Sequence, residues 1–382
     1  MAEPVLVAQL DGDVHDVAGL GAIPPPPLRL PRVLGCMRIL LATAALLAAT
    51  ATLVPAASAQ EEAVGTLERA TPLAAEGERL LLSVFDPSTE AFRLMLREGD
   101  TERVLPVQPT AKPLEADLGT NSSGDPAAIL ALDVGEQDGG TRGGRDLFVL
   151  TLGSGEVRPV RNANTNHDER APTIEDGRIA FSRVYDDGEQ PVVYTKRLVA
   201  PRERPSVRLP GVPTRTRGFP GGPSYTTVER RVVELELVDG RLGQLVTFLL
   251  TEGEPRTNQI RLVDLDERSS RLAAETVSGE GDREYVGLSS VRGELAWYRT
   301  CTITCPADFN AAFRYEPGEA YETASGPRFL VGWATTRGVT WQLRGGQGGG
   351  RCDDFRTNAQ DACTLVRTGE PAWERIAAAR VR

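Results

Sequence analysis

The stretch HDERAPTIEDGRIAFSR, residues 167–183, decides the fold of this chain. It contains an Asp176-Gly177 pair, followed by a run in which Ile179 and Phe181 alternate with other residues. An Asp-Gly pair favours the positive φ of a tight hairpin turn, and period-two alternation is typical of a β-strand. The stretch therefore predicts a chain reversal at Gly177, with Ile179 and Phe181 on one face of a strand that packs against the next sheet.

A turn glycine before a β-rich run recurs along the chain. Five glycines occupy this position: Gly77, Gly177, Gly240, Gly293 and Gly338. The segment PAAILALDV at 126–134 fits a sixth strand without the glycine. The first and last of these glycines are 261 residues apart in five steps, which gives a repeat of about 52 residues. Such a period indicates a repeat architecture.

Each of these strands is followed by two alternating strands around a polar turn. These segments lie at 92–107, 146–160, 192–210, 258–273, 312–324 and 363–376. A unit of one inner strand and one outer hairpin cannot bury both of its faces, whereas radial packing of six units buries them against neighbours. We therefore predict an all-β fold, a six-bladed β-propeller over 77–376. Ring closure would place the strand at 80–85 near the strand at 364–366.

The motif at 167–183 resembles the WD40-like PD40 repeat of TolB-type six-bladed propellers. The matching positions are Asp168, Pro172, Asp176, Gly177, Ile179, Ala180, Phe181 and Ser182. The other units are degenerate: the unit at 292 lacks the upstream proline, and the unit at 126 lacks the Asp-Gly turn. The resemblance implies a propeller and a peptide- or protein-binding surface, and it carries no catalytic residues. Only residues 61–76 precede the first predicted strand, so we expect no counterpart of TolB's N-terminal α/β domain.

The N-terminal region predicts export. Residues 39–54 form a charge-free apolar run of 16 residues, shorter than the ~20 that span a bilayer. Arg38 precedes it, and Ala57-Ser58-Ala59 follows as a small-x-small cleavage pattern. We expect a wrongly assigned or disordered extension at 1–36, a signal peptide at 37–59, a linker or the start of the first blade at 60–76, and a C-terminal tail at 377–382. The product would be extracellular or periplasmic, with no membrane span after cleavage.

Four cysteines follow the predicted cleavage point: Cys301, Cys305, Cys352 and Cys363. An even number in an exported chain predicts two disulfides, and we favour the local pairs 301–305 and 352–363, with zinc ligation as the alternative. Three acids lie in the second of these loops, which makes it the candidate contact for a cation or a partner: Asp353, Asp354 and Asp361. We expect no cofactor; a structural cation such as calcium is the alternative, although the acidic turns at 186–189 and 264–267 lack the calcium-loop order.

Composition narrows the chemistry further. The net charge of −10 excludes the basic footprint that nucleic-acid binding needs. His167 is the one histidine after residue 59, and we interpret it as an exposed turn residue rather than a catalytic base. The four tryptophans lie in the C-terminal 90 residues, where core packing is the default.

We expect an exported, non-catalytic propeller that binds a protein, a peptide or a cell-surface component. The alternative is a secreted hydrolase or lyase that acts on carbohydrate through carboxylates at the channel mouth. Three or more acids that converge with a Trp or Arg at the mouth would favour the enzyme. A channel lined by small apolar or scattered residues would favour binding.

Overall fold

The computed structural model describes residues 61–69, 71–133, 144–185, 190–198, 206–211, 216–218, 224–250, 257–277, 283–301, 310–323, 326–327, 330–345 and 362–376. For 216–218, 224–229, 249–250, 277 and 283 it describes the backbone alone. All the regular secondary structure in these ranges is β-strand. None of the described residues forms a helix long and apolar enough to cross a membrane.

Six antiparallel sheets form the structure, each numbered here as a blade in chain order. Blade 1 contains β2 (Leu73–Glu76), β3 (Arg79–Asp86), β4 (Ala91–Glu98) and β5 (Thr101–Val104). Blade 2 contains β6 (Glu115–Thr120), β7 (Pro126–Leu132), β8 (Asp146–Thr151) and β9 (Val157–Pro159). Blade 3 contains β10 (Asp168–Glu175), β11 (Arg178–Val184), β12 (Val192–Arg197) and β13 (Val207–Arg208).

Blades 4 and 5 each have a fifth strand, and the four-stranded blade 6 takes its outer strand from an earlier part of the chain. Blade 4 contains β14 (Thr216–Gly218), β15 (Ser224–Val238), β16 (Arg241–Leu250), β17 (Thr257–Asp264) and β18 (Ser269–Val277). Blade 5 contains β19 (Arg283–Val291), β20 (Glu294–Cys301), β21 (Ala311–Glu316), β22 (Glu319–Thr323) and β26 (Trp373–Ile376). Blade 6 contains β23 (Leu330–Thr335), β24 (Val339–Arg344), β25 (Cys363–Gly369) and β1 (Glu62–Leu67).

The blades form a closed ring. Strands β2, β6, β10, β15, β19 and β23 each contact the next in this order, and β23 contacts β2. Each pair of neighbouring blades buries its own hydrophobic cluster between the facing sheets. Leu80 and Leu365 share the cluster between blades 6 and 1, which confirms the predicted closure. The six-bladed propeller that the repeat resemblance implies is therefore confirmed.

The Asp-Gly turns have the predicted conformation. Asp176 and Gly177 have φ values of 47° and 68°, and Asp239 and Gly240 have 46° and 72°. Ile179 and Phe181 share one face, as predicted, but they pack toward blade 2, the preceding sheet. In blade 2, where the Asp-Gly turn is missing, the Asn121 side chain accepts hydrogen bonds from the backbone of Ser123 and Asp125 and stabilises the reversal.

Two details of the predicted unit are wrong. The strand after each turn glycine is the second strand of its blade, because another strand before the glycine lies nearer the axis. The hairpin predicted at 363–376 does not form: β25 pairs with β24 and β1, whereas β26 pairs with β22. The segment 60–76 supplies both β2 and the outer strand β1 of blade 6.

Candidate functional site

Each inner strand has one edge that pairs with no other strand of its blade, and the N–H groups on that edge need other acceptors. Asp117 on β6 provides one acceptor for blade 3: its Oδ2 accepts the N–H of Ile174 at 3.0 Å and the hydroxyl of Thr173 at 2.8 Å. Glu115, two residues earlier, accepts the N–H of Ala171 at 2.8 Å. Alternate side chains of β6 therefore bridge to the inner edge of the next blade.

The same bridging continues around the ring through blades 3 and 4. Glu175 on β10 accepts the N–H of Asp239 at 3.1 Å. Glu234 and Glu236 on β15 accept backbone hydrogen bonds from Leu288 and Ser290, both on β19. Three consecutive inner strands thus direct carboxyl groups toward the following blade.

Hydroxyl groups link neighbouring blades in the other part of the ring, and one also does so between blades 3 and 4, where Thr173 Oγ1 accepts the N–H of Leu237 at 3.0 Å. Ser289 Oγ on β19 accepts the N–H of Thr335 at 3.1 Å. Thr336, after β23, donates its hydroxyl to the carbonyl of Gly77 at 2.6 Å. Between blades 1 and 2, Ser83 Oγ accepts the N–H of Leu114 at 3.1 Å.

The carboxyl groups form one electrostatic unit, which we call the acidic wall: Glu76, Asp117, Glu175, Glu234 and Glu236. Burial is the main cause that raises the pKa of Asp117 to about 7; nearby Glu76 contributes to the rise, and the hydrogen bonds from Ile174 and Thr173 oppose it. Burial is also the main cause that raises the pKa of Glu234 to about 8, and Asp117 adds to it. Glu236 has a pKa well above its ordinary value because of burial and then the charges of Asp117, Glu234 and Glu175.

The remaining two members lie toward the turn end of the inner strands. Burial raises the pKa values of both Glu76 and Glu175. Arg79 lies 3.8 Å from Glu76, and both line a surface groove of about 600 Å³ at the turn end of blade 1. Glu76, Glu175, Glu234 and Glu236 lie on inner strands and keep partial solvent exposure.

The repeat-motif positions act mainly in structure. Asp168 holds the start of β10: it accepts the N–H of Arg145 at 2.7 Å and pairs with Arg170. Burial raises the pKa of Asp168, but these two arginines and the hydrogen bonds lower it more, so the net shift is downward. Pro172 lies at the bulge of β10, and Phe181 is fully buried. Asp176 accepts a hydrogen bond from Thr120 of blade 2 at 2.9 Å, which ties the Asp-Gly turn to its neighbour.

The cysteine-rich segment is described only at its ends. Cys301 ends β20 and Cys363 begins β25; both are buried and disulfide-bonded. Cys305 and Cys352 lie outside the described residues, so the two local pairings stay predictions. The candidate contact residues Asp353, Asp354 and Asp361 also lie outside the described residues, as does the acidic turn at 186–189.

His167 differs from the exposed turn residue that we expected. It is half-buried, its ring packs on Tyr185 with centroids 4.6 Å apart, and its Nδ1 is buried without a hydrogen-bond partner. The tyrosine in turn bonds the Tyr194 hydroxyl at 2.7 Å. His167 is therefore part of the packing at blade 3.

The acidic turn at 264–267 and the tryptophans match their expected roles. The Asp264 carboxylate accepts hydrogen bonds from the N–H groups of Asp266 and Glu267, so these two donors find their acceptor within the turn. Among the described residues no group of three metal-ligating side chains is placed to hold an ion. Three of the tryptophans are fully buried: Trp297, Trp333 and Trp341. The fourth, Trp373, is half-buried.

Sequence reasoning missed the acidic wall. A signal for part of it was present in VELELV at 233–238, where Glu234 and Glu236 alternate with buried leucines just before an Asp-Gly turn. That alternation places both glutamates on one face of the strand, but the partners across the blade interface follow only from the ring.

Comparisons with known proteins agree on the fold. No protein-family model matches the sequence, and no curated protein matches it either. Among solved structures, the chain is similar to TolB from Acinetobacter baumannii, at 10% identity and a TM-score of 0.45, over 78% of this chain and 66% of that one. It thus spans slightly less than two thirds of that TolB.

Two further similarities are with the propeller domain of a protease and with a lyase. The β-propeller domain of the Trilobed protease from Pyrococcus furiosus shares 10% identity, with a TM-score of 0.40, over 80% of this chain and 97% of that one. An oligogalacturonate lyase in complex with manganese shares 12%, with a TM-score of 0.37, over 76% of each chain. At these identities the similarity concerns the fold alone.

Proposed function

We propose that this chain is an exported, non-catalytic propeller that binds a protein, a peptide or a cell-surface component through a cationic segment received by the acidic wall. The observation that carries the proposal is the convergence of Asp117, Glu175, Glu234 and Glu236 on neighbouring inner strands, where their charges interact. A cation that approaches these groups gains attraction from several carboxyls at once, in surroundings that screen it less than bulk water.

The positions of the carboxyls favour binding over catalysis. Asp117 and Glu175 are each fixed by an N–H of the following blade, so their orientation serves the ring as well as the channel. His167 packs on Tyr185, which removes the one histidine after residue 59 from the obvious catalytic roles. A net charge of −10 also favours a cationic partner.

Export rests on the N-terminal sequence. The apolar run at 39–54, its preceding arginine and the Ala-Ser-Ala pattern at 57–59 have the order of a signal peptide. Cysteines in disulfide form at Cys301 and Cys363 fit an oxidising compartment.

A second candidate function is a carbohydrate hydrolase or lyase, and one observation favours it. The acidic wall contains more than three acids, and Arg79 lies beside Glu76 at its end, which meets the criterion set above for an enzyme. Carboxyls with raised pKa values are suited to act as general acids near neutral pH. Turnover of any substrate in a polysaccharide panel would establish this alternative.

The binding proposal is tested by fluorescence anisotropy with a labelled octa-arginine peptide at two salt concentrations. Wild type should bind, and binding should weaken as salt increases. The Glu234→Gln, Glu236→Gln double variant should bind at least tenfold more weakly, since glutamine keeps an amide oxygen as acceptor but cannot become charged when the cation binds. Glu267→Gln, in an exposed turn, is the matched control and should bind like wild type. Equal affinity of all three proteins would contradict the proposal.

A further inference from the structure

Blade 5 has four strands before its fifth is added. Strands β19 to β22 follow one another in chain order, as the four strands of blades 1, 2 and 3 do. The fifth, β26, comes from the end of the described chain, after blade 6 has formed, and pairs with β22 from Ala320↔Ile376 to Thr323↔Trp373. An outer edge strand left bare is a template for pairing with another extended segment, and here that edge is covered by β26.

The side chains of β26 fit this edge in three ways. Trp373 packs toward blade 6 and Ile376 toward the cluster between blades 4 and 5, because positions three apart in a strand lie on opposite faces. Between them, Arg375 pairs with Glu319 at 2.6 Å. The edge therefore selects an aromatic residue, a basic residue two positions later and an aliphatic residue three positions later.

Of the three positions, the aromatic one, Trp373, has an arginine beside its ring that also contacts a tyrosine. The Arg314 guanidinium lies 4.3 Å from the ring centre of Tyr321 and 5.3 Å from that of Trp373, so it contacts both rings. The indole Nε1 of Trp373 is buried without a hydrogen-bond partner. A cation against an aromatic face is attractive, whereas a buried N–H without an acceptor costs free energy.

The segment that leads into β26 is held by hydrogen bonds at Glu370, three residues before the strand begins. Glu370 accepts a hydrogen bond from Arg292 of blade 5 at 3.0 Å, and its N–H donates to the carbonyl of Gly338 of blade 6 at 3.1 Å. Beyond it, Pro371 and Ala372 lead directly into the strand. The crossing is fixed at Glu370, so β26 could leave the edge without opening a blade.

We propose that the outer edge of β22 is a binding site for an extended peptide segment of a protein partner, and that β26 occupies this site in cis. The partner segment carries an aromatic residue, a basic residue and an aliphatic residue at the spacing of Trp373, Arg375 and Ile376. It adds to blade 5 as a strand, with main-chain hydrogen bonds for affinity and the three side-chain contacts for specificity. Exchange is feasible because the ladder between β22 and β26 is four residues long, so few main-chain hydrogen bonds hold β26 in place.

The test uses the full chain and a fluorescein-labelled peptide with the sequence of residues 370–378. Wild type should bind it weakly, since the tethered strand competes at high effective concentration. Trp373→Ala in the protein weakens the cis strand and should tighten binding at least tenfold, with circular dichroism to confirm that the fold is kept. A peptide in which alanine replaces the tryptophan should bind at least tenfold more weakly than the parent. If that substitution disturbs the protein, Arg375→Glu offers the same comparison at an exposed position.

A charge exchange then tests the register. Glu319→Arg in the protein that carries Trp373→Ala should weaken the parent peptide, and a peptide with glutamate in place of Arg375 should recover it. Hydrogen exchange of wild type should be at least tenfold faster for the amides of β26 than for those that join β21 to β22. Failure of the Trp373→Ala protein to bind, equal binding of the parent and alanine peptides, or exchange of β26 between two copies to give a dimer would each overturn the proposal.

Discussion

The ring has two parts, which link neighbouring blades through different kinds of side chain. From blade 2 to blade 5 most of the acceptors are carboxyls, exemplified by Asp117 and Glu175, and the Thr173 hydroxyl also accepts the N–H of Leu237. From blade 5 through blade 6 to blade 2 the corresponding contacts are made by hydroxyls: Ser289 and Ser83 accept a backbone N–H, and Thr336 donates to a carbonyl. Both kinds accept a backbone N–H at 3.0 to 3.1 Å.

Carboxyl and hydroxyl acceptors differ in their electrostatic cost. A hydroxyl accepts the edge N–H without a charge, whereas burial and mutual repulsion raise the pKa values of the carboxyls. Capping alone therefore does not account for carboxyls on three successive blades. The proposed binding of a cationic segment would account for both their number and their placement on one side of the ring.

The largest effect is expected at a close approach of inner strands β19 and β23, in the hydroxyl part. Gly287 has φ +66°, and a Cβ there would overlap the carbonyl oxygen of Trp333 in blade 6. Gly287→Ala should lower the free energy of unfolding by roughly 2 to 4 kcal/mol, through strain and overlap. Gly65→Ala, where a Cβ meets nothing within 4 Å, is the control and should be nearly neutral. Chemical denaturation measures both, and equal stability of the two variants would refute the close approach.

In the acidic part, removal of a cap should cost less. Asp117→Ala leaves the N–H of Ile174 and the hydroxyl of Thr173 without their acceptor, at about 1 to 3 kcal/mol for a buried donor. Asp117→Asn keeps an acceptor oxygen and should cost less than half as much at pH 6. Denaturation at that pH distinguishes them, and equal losses for alanine and asparagine would show that the hydrogen bonds are unimportant.

The pH dependence of stability should reveal the acidic wall. Asp117 and Glu234 have pKa values of about 7 and about 8 in the folded chain, above their ordinary values of 3.8 and 4.5. The folded state then holds protons that the unfolded state has lost, so the free energy of unfolding falls as pH rises from about 4 to about 8. Melting temperatures should decline across this window, and Glu234→Gln should flatten the decline. A wild-type curve that rises from pH 5 to 8 would contradict this assignment.

The smallest effect is expected for the hydroxyl caps. Ser289→Ala removes the acceptor of the Thr335 N–H and should cost about 1 kcal/mol, or about 2 to 4 °C in melting temperature. Because no charge is lost, this cost should be the same at pH 5.5 and pH 8. A loss that changes with pH would mean that the two parts of the ring do not differ as described.

The sequence predicted the features that depend on neighbouring residues. The Asp176-Gly177 turn, five of the six predicted hairpins and the repeat that gave the number of units follow from local patterns and agree with the structure. The placement of β1 in blade 6 and of β26 in blade 5 was not predicted, because pairing between distant segments leaves no local pattern. The acidic wall was missed for the same reason: Glu236 meets Ser290 across a blade interface that exists only in the closed ring.

The most direct measurement of the central claim is the number of protons released when a cationic peptide binds. Carboxyls with raised pKa values lose protons when a cation stabilises their charged form. Calorimetric titration of octa-arginine at pH 7.5, in buffers of different ionisation enthalpy, should show net proton release by wild type and less release by the Glu234→Gln, Glu236→Gln variant. Binding without proton release, at the same affinity in both proteins, would contradict the account.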